Sequence, residues 1–422
     1  MKRFGALASV LLVAALVIGI AACTSGIGRG QAAVVTGART VRVMEFGTPV
    51  AVIGAAQWAM AHPDIHASYM RNFENNVLYS YVEMFPYISI LYEGFGFAFD
   101  YNNPRGHVFS MISTDATTRP KAYASCFACK SPNFIALINS GMNVWNVPFD
   151  ELRSQMVEPV SCFNCHGNQP GTLMVTHLYL VEALGEDFFS HDPRSLSCAQ
   201  CHVEYYFHPT TREVILPYRT LEGMHPTAIL NYFNNLYFDG VLFADFVNPR
   251  SGVRQLKLQH PEFETVYGVG SVHNTRMPGP MAFSCSDCHM GTGINALGQS
   301  YVNHFWQSPL NNPTLIASSC AQCHGDLATE VRAIQRLAQG RLHDIGMSLA
   351  GLMEELVLAV NSGRHSEETL NVIRHTFRNA QFYWDFVMSE NSNGAHNSRL
   401  THYSLDRAEE LKNDVITLLA QL

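Results

Sequence analysis

The pentapeptide Cys126-Phe127-Ala128-Cys129-Lys130 (CFACK, 126–130) decides how the rest of the chain is read. Four more stretches keep its cysteine spacing but end in histidine: CFNCH at 162–166, CAQCH at 198–202, CSDCH at 285–289 and CAQCH at 320–324. These five pairs take ten of the eleven cysteines, and the eleventh is Cys23. A disulfide-stapled chain spreads its cysteines at irregular spacings. Ten cysteines confined to C-x-x-C, each pair followed by an imidazole or an amine, argue for another use.

C-x-x-C-H is the attachment signature of c-type haem. The thiols become thioethers, and the adjacent imidazole supplies an axial nitrogen to iron. One such motif could be a zinc half-site or a redox dithiol; four in one chain make coincidence untenable. The anchors are Cys162 and Cys165 with His166, Cys198 and Cys201 with His202, Cys285 and Cys288 with His289, and Cys320 and Cys323 with His324. CFACK keeps Cys126 and Cys129 for attachment, but its axial donor becomes the Lys130 amine. Burial beside a metal favours the neutral amine that ligation needs. If the four histidine sites only carry electrons, each takes a second imidazole, and nineteen histidines are ample for that. The Lys130 site is then the one that keeps an open coordination position, where substrate binds.

Only 15% of the 422 residues are charged, well below the usual quarter, as suits an interior lined with bulky apolar cofactors. The net charge is −8 and no basic tract is present, so a nucleic-acid partner is not expected. Lys2 and Arg3 followed by the apolar run Leu7–Ala22 read as a signal peptide over 1–23. Ile20-Ala21-Ala22-Cys23 resembles a bacterial lipobox, which would anchor the chain by a lipid on Cys23; an ordinary cleaved signal and an uncleaved anchor are the alternatives. All three place the protein in the periplasm or on the outer face of the cytoplasmic membrane. No later segment reads as long and apolar enough to span a bilayer.

A Gly/Ala-rich linker (24–42) leads into a five-haem catalytic region (43–325) of helices and loops, with irregular segments at clusters such as MPGPM (277–281). Long period-2 runs are missing. The expected class is mainly α: a multihaem cytochrome c fold with the haems as core, few short strands and long C-terminal helices. In the helical region 326–422, Leu327, Val331, Ile334, Leu337, Ile345, Leu349, Leu352 and Leu356 recur in three- and four-residue steps broken by Arg341, predicting one long helix to about Asn361. Gly363 fits its stop, Ser366 with Glu367 and Glu368 fits the next N-terminus, and a further helix is expected from Ser404.

The chain resembles the pentahaem, ammonia-forming cytochrome c nitrite reductases, whose pattern is one C-x-x-C-K followed by four C-x-x-C-H. The likeness extends through DYNNPRGH (100–107), CFACKSP, CAQCHVEYYF (198–207), KLQHPEFE (257–264), NHFWQSPLNN (303–312) and ENSNGAH (390–396), from about Trp58 to the C-terminus. It implies five covalently bound haems and a calcium ion held by Glu204, the Tyr205 carbonyl, the Lys257 carbonyl and Gln259, donors of the hard-oxygen kind that calcium takes. It implies Lys130, Tyr205, His260 and an arginine as catalytic residues. Arg119 is the match for that arginine, although the loop before CFACK is shorter than the family's, and Arg105 is the alternative. The distal ligands implied are His304 for the second haem, His107 for the third, His396 for the fourth and His273 for the fifth; the His260–His273 interval is slightly longer than in the family. Phe127 stands where tryptophan is common, and Trp58–Tyr69 resembles a structural helix.

The activity implied is six-electron reduction of nitrite, with hydroxylamine as a second substrate. The donor implied is a membrane-anchored multihaem quinol dehydrogenase or a small soluble cytochrome, and the long helix would form a homodimer interface. Two readings compete: a multihaem electron-transfer cytochrome without catalysis, and a related reductase acting mainly on hydroxylamine or sulfite.

Overall fold

The computed structural model describes residues 41–274 and 283–422. The signal and lipobox reading (1–23), most of the linker and all of MPGPM lie outside the described residues. Arg42, assigned above to the linker, is already paired: Arg42–Val43 runs parallel to Met174–Val175.

Strand is confined to five two-stranded pairings of two or three residues each among the described residues. Everything else is helix, turn and loop, as the scarcity of alternating runs predicts. Short helices carry the C-x-x-C-H motifs. Cys162–His166 opens with the Asn164 side chain accepting from the Ser161 amide at 2.9 Å, and Cys285–His289 opens at Ser284 and Asp287, whose side chains each accept from the other's backbone amide. The expected Trp58–Tyr69 helix is instead two, Ala55–Trp58 and Pro63–Met70, because Pro63 can start a helix but cannot continue one.

Three long helices close the chain: α1 (Leu327–Ser362), α2 (Glu367–Ser389) and α3 (Ser398–Ala420). Gly363 ends α1 at φ 64°, a left-handed conformation cheap for glycine, and the Ser366 hydroxyl accepts from the Thr369 amide to start α2. The third helix begins six residues before the expected Ser404. Asn397 caps it by accepting from the Leu400 amide, while Ser404 is buried with its hydroxyl on the Leu400 carbonyl. The face of α1 also differs from expectation: Leu337 is exposed, and Ala338 and Leu342 complete the buried stripe. Arg341, the interruption in the pattern, reaches Asp406 at 2.7 Å and Glu409 at 3.2 Å on α3.

By length and a mean hydropathy of 1.3 over its most apolar window, α1 could cross a membrane, contrary to the sequence reading. Its apolar face is used within the fold, against α2, α3 and the short helix Ile88–Leu91. A Cβ on Gly346 would come within 2.6 Å of the Tyr87 ring, so glycine lets Tyr87 and Trp384 close on α1. One continuous apolar core joins the bundle to the region bearing the cysteine motifs, from Tyr87 through Phe127 and Leu258 to Val415.

Candidate haem centres and substrate site

The ten described cysteines are free thiols, and only Cys323 is exposed. The histidines are arranged in facing pairs. His166 faces His304 with ring centres 6.2 Å apart, His289 faces His396 at 5.9 Å, and His324 faces His273 at 6.0 Å. His202 has two neighbours, His107 at 6.2 Å and His260 at 6.0 Å. An imidazole centre lies roughly 3 Å from a metal that its nitrogen binds at about 2 Å. About 6 Å between ring centres is therefore the spacing that one iron between two imidazoles requires, and the residues fit the group.

Which neighbour of His202 faces the iron position follows from Glu262. Its two oxygens lie 3.8 Å from His202 Nδ1 and 3.9 Å from His260 Nδ1, so His260 approaches on the Nδ1 side. The Nε2 side is left to His107. Burial, with His202 and Lys130 nearby, lowers His107 to about 3, and burial lowers His289 and His304 to about 4, so these imidazoles are neutral and ready to donate.

The motifs touch through their thiols. Cys129 and Cys201 lie within 4.8 Å of one another, with His177 Nε2 3.6 Å from Cys201 Sγ. The third and fourth motifs adjoin where the Cys285 amide donates to the Ser195 hydroxyl at 3.3 Å. The first, third and fourth sites thus form a contiguous row.

At the first site, Ala124–Phe127 is a tight helical turn, and the Ser110 hydroxyl donates to the Lys130 carbonyl at 2.8 Å. Burial raises the Cys126 thiol while the charges of Arg119 and Lys130 oppose that rise, and burial together with Cys129 and Cys126 raises Tyr205. Arg119 is set by its loop: its Nε donates to Thr117 Oγ1 at 3.1 Å and its guanidinium stacks 4.1 Å over Phe97. Asp100 fixes that loop by accepting from the Thr117 hydroxyl and the Thr118 amide, each at 2.6 Å. Arg105 is engaged elsewhere, on Ser113 at 2.9 Å and over the Phe109 ring.

Beside this site the four residues proposed for calcium converge. Glu204, 1% exposed, accepts from the Gln259 amide at 2.6 Å, and the Gln259 side chain reaches the Lys257 carbonyl at 2.9 Å. Sequence reasoning missed two further acids here. Asp245 accepts from the Lys257 amide and Glu264 from the Glu204 amide, both at 2.9 Å. Burial pushes Glu204 well above the usual carboxylate range, with Glu264 and Asp245 adding repulsion; burial raises Asp245 to about 7 and Glu264 to about 8. Three crowded acids, two of them fully buried, beside the Lys257 carbonyl and the Gln259 amide fit a hard divalent cation. The Lys257 side chain turns away, toward Asp385 on α2.

Glu262, Glu390, Asp100 and His177 were also unassigned from sequence. The first three lie inside the quoted segments HPEFE, ENSNGAH and DYNNPRGH, so the signal was adjacency to a site residue.

The cytochrome c552 family model matches residues 55–422. The chain is 27% identical to cytochrome c nitrite reductase subunit NrfA of Nitratidesulfovibrio vulgaris over 411 residues, covering 84% of this chain and 76% of that one. It is 29% identical to cytochrome c-552 of Maridesulfovibrio salexigens over 369 residues, covering 80% and 70%. The structure superposes on cytochrome c nitrite reductase of Desulfovibrio desulfuricans, a catalytic subunit with two calcium sites, at a TM-score of 0.76 and 25% identity, over 87% and 86% of the chains. With the five C-x-x-C motifs and the facing imidazoles of the four that end in histidine inside the matched span, the chain belongs to the cytochrome c552 family and is a multihaem cytochrome c.

Proposed function

We propose that this chain reduces nitrite to ammonium at the Lys130 site, as its similarity to cytochrome c nitrite reductases suggests. One observation carries the reading. Each of the four motif histidines has an imidazole partner about 6 Å away, whereas the motif ending in Lys130 offers an amine and has Arg119 and Tyr205 within electrostatic reach of its thiols.

Nitrite, six electrons and eight protons give ammonium and two waters. The bound haems supply the iron that nitrite coordinates and the path by which electrons reach it. Lys130 would hold the iron of the CFACK haem through its amine, so that substrate would meet that iron beside Arg119 and Tyr205. Arg119 holds the nitrite oxygens by charge-assisted hydrogen bonds and stabilises charge as the N–O bonds break. His260 delivers protons, its Nδ1 side turned to Glu262, and Tyr205 orients protons at the substrate. Glu204, the Tyr205 and Lys257 carbonyls and Gln259 hold calcium, which would fix Tyr205 and His260 in place. Half a turn of the Gln259 amide presents its oxygen to the ion.

His304, His107, His396 and His273 are the distal ligands of the second to fifth haems. The protein works in the periplasm or on the outer face of the membrane. It pairs as a homodimer through α1 and takes electrons from a membrane-anchored multihaem quinol dehydrogenase or a small soluble cytochrome.

The test is anaerobic. Calcium-replete holoprotein receives a low-potential dye and nitrite, and ammonium is counted against electrons consumed. Six electrons per ammonium without free nitric oxide supports the reading. Five reducible haems with no nitrite consumption would leave an electron carrier, and turnover of hydroxylamine or sulfite alone would reassign the substrate.

A further inference from the structure

The facing imidazoles differ in what holds their outer nitrogens. In the His166–His304 pair both Nδ1 atoms meet backbone carbonyls, Thr172 at 2.7 Å and Val302 at 2.9 Å. His289 meets the Gln307 carbonyl at 3.0 Å. Its partner His396 is different: Nδ1 lies 2.6 Å from Oε1 of Glu390, a carboxylate on a residue only 3% exposed. The second Glu390 oxygen is fixed by Ser392, whose hydroxyl donates at 2.6 Å and whose amide donates at 3.2 Å. His324 also meets a carboxylate, Glu330 at 2.7 Å, but that side chain is 48% exposed.

These contacts have different consequences for a metal. A carbonyl accepts the Nδ1 proton's hydrogen bond and leaves the imidazole neutral. A carboxylate draws that proton toward itself, and the opposite nitrogen becomes a stronger donor to iron. Stronger donation favours the ferric form and lowers the reduction potential. Water screens the effect at Glu330 and is excluded at Glu390.

We propose that Glu390 sets a reduction potential: it makes the haem of CSDCH, held by His289 and His396, more reducing than the haem of CFNCH. The inference rests on the axial pairing in the reading above and not on the substrate. The fourth motif lies next to the third, and the third next to the first through Cys201 and Cys129, so a potential set at CSDCH bears on the path toward Lys130.

The experiment is a spectroelectrochemical titration of holoprotein variants whose five haems have been counted. Glu390→Gln keeps the length and an acceptor oxygen but removes the charge. One midpoint should move positive while the other four hold, and one low-spin resonance should shift with it. Ser392→Ala removes a donor from the carboxylate, makes it more basic, and should move the same midpoint negative. Glu330→Gln, at the exposed pair, should give a smaller positive shift. Unchanged midpoints in Glu390→Gln, or an equal shift of all five, overturns the proposal. So does a shift from Glu330→Gln as large as that from Glu390→Gln. If Glu390→Gln fails to retain its haems, the sign in Ser392→Ala decides, and zero or positive movement there overturns it.

Discussion

The Lys257 ammonium lies 2.9 Å from the Asp385 carboxylate, with both side chains sealed from water. Asp385 also accepts from the Leu258 amide at 2.9 Å, from Tyr92 at 2.5 Å and from Ser389 at 3.0 Å. The pair therefore ties the segment leading into Gln259 and His260 to the last turns of α2. Removing one partner leaves a buried charge unmatched, at a cost of about 3–5 kcal/mol. Asp385→Asn should lower the melting temperature and weaken calcium retention together. A variant that melts early while holding calcium normally would separate the two roles.

Lys130→His should keep five covalent haems, because both thiols remain. Its turnover should fall and the absorption of one haem should change. Mass spectrometry counts the haems, and loss of the haem at CFACK would show that Lys130 does more than ligate.

Arg119→Gln should lower kcat by roughly 100- to 1,000-fold, the cost of losing a donor aimed at developing charge. Arg105→Gln, bound to Ser113 and stacked on Phe109, should leave kcat near wild type. Steady-state nitrite kinetics on both variants checks this, and the reverse order of effects would move the substrate arginine to Arg105.

Calcium removal should matter more as pH rises. An unfolded carboxyl titrates near pH 4, whereas burial holds Asp245 to about 7 and Glu264 to about 8 in the folded chain. Between those values the folded state keeps protons that the unfolded state releases, so stability without calcium falls as pH increases. Bound calcium offsets the repulsion. Melting with chelator and with calcium, from about pH 5 to about pH 8, should show a widening gap. A gap constant with pH would place the ion elsewhere.

The haem motifs, the reductase resemblance, the stop of α1 and the start of α2 were legible because each is encoded locally: a spacing, a glycine, a serine with acids behind it. The start of α3 was misplaced because Ser404 looks like a cap, while Asn397 has both the cap geometry and contacts to the Thr265 and Val269 carbonyls. Asp245 and Asp385 were invisible for a related reason. Asp385 acts on Lys257 from 128 residues away, and Asp245 acts on it across the turn between the paired strands Phe246–Val247 and Arg254–Gln255, so both depend on contacts that spacing alone does not mark. Glu390 sits six residues from His396 and was still missed, since its role depends on burial, and burial is not written in sequence distance.

The facing histidines also impose an order in time. His107 precedes its partner motif in the chain, but His166 must wait for His304, and His289 for His396 near the C-terminus. During synthesis from the N-terminus, the second and fourth sites stay half-built after their own cysteines have emerged. A chain truncated within α2 would carry every cysteine motif and still lack the closing imidazole at CSDCH. Such a product should accumulate with one high-spin centre beyond the Lys130 site, a signature of where assembly stopped.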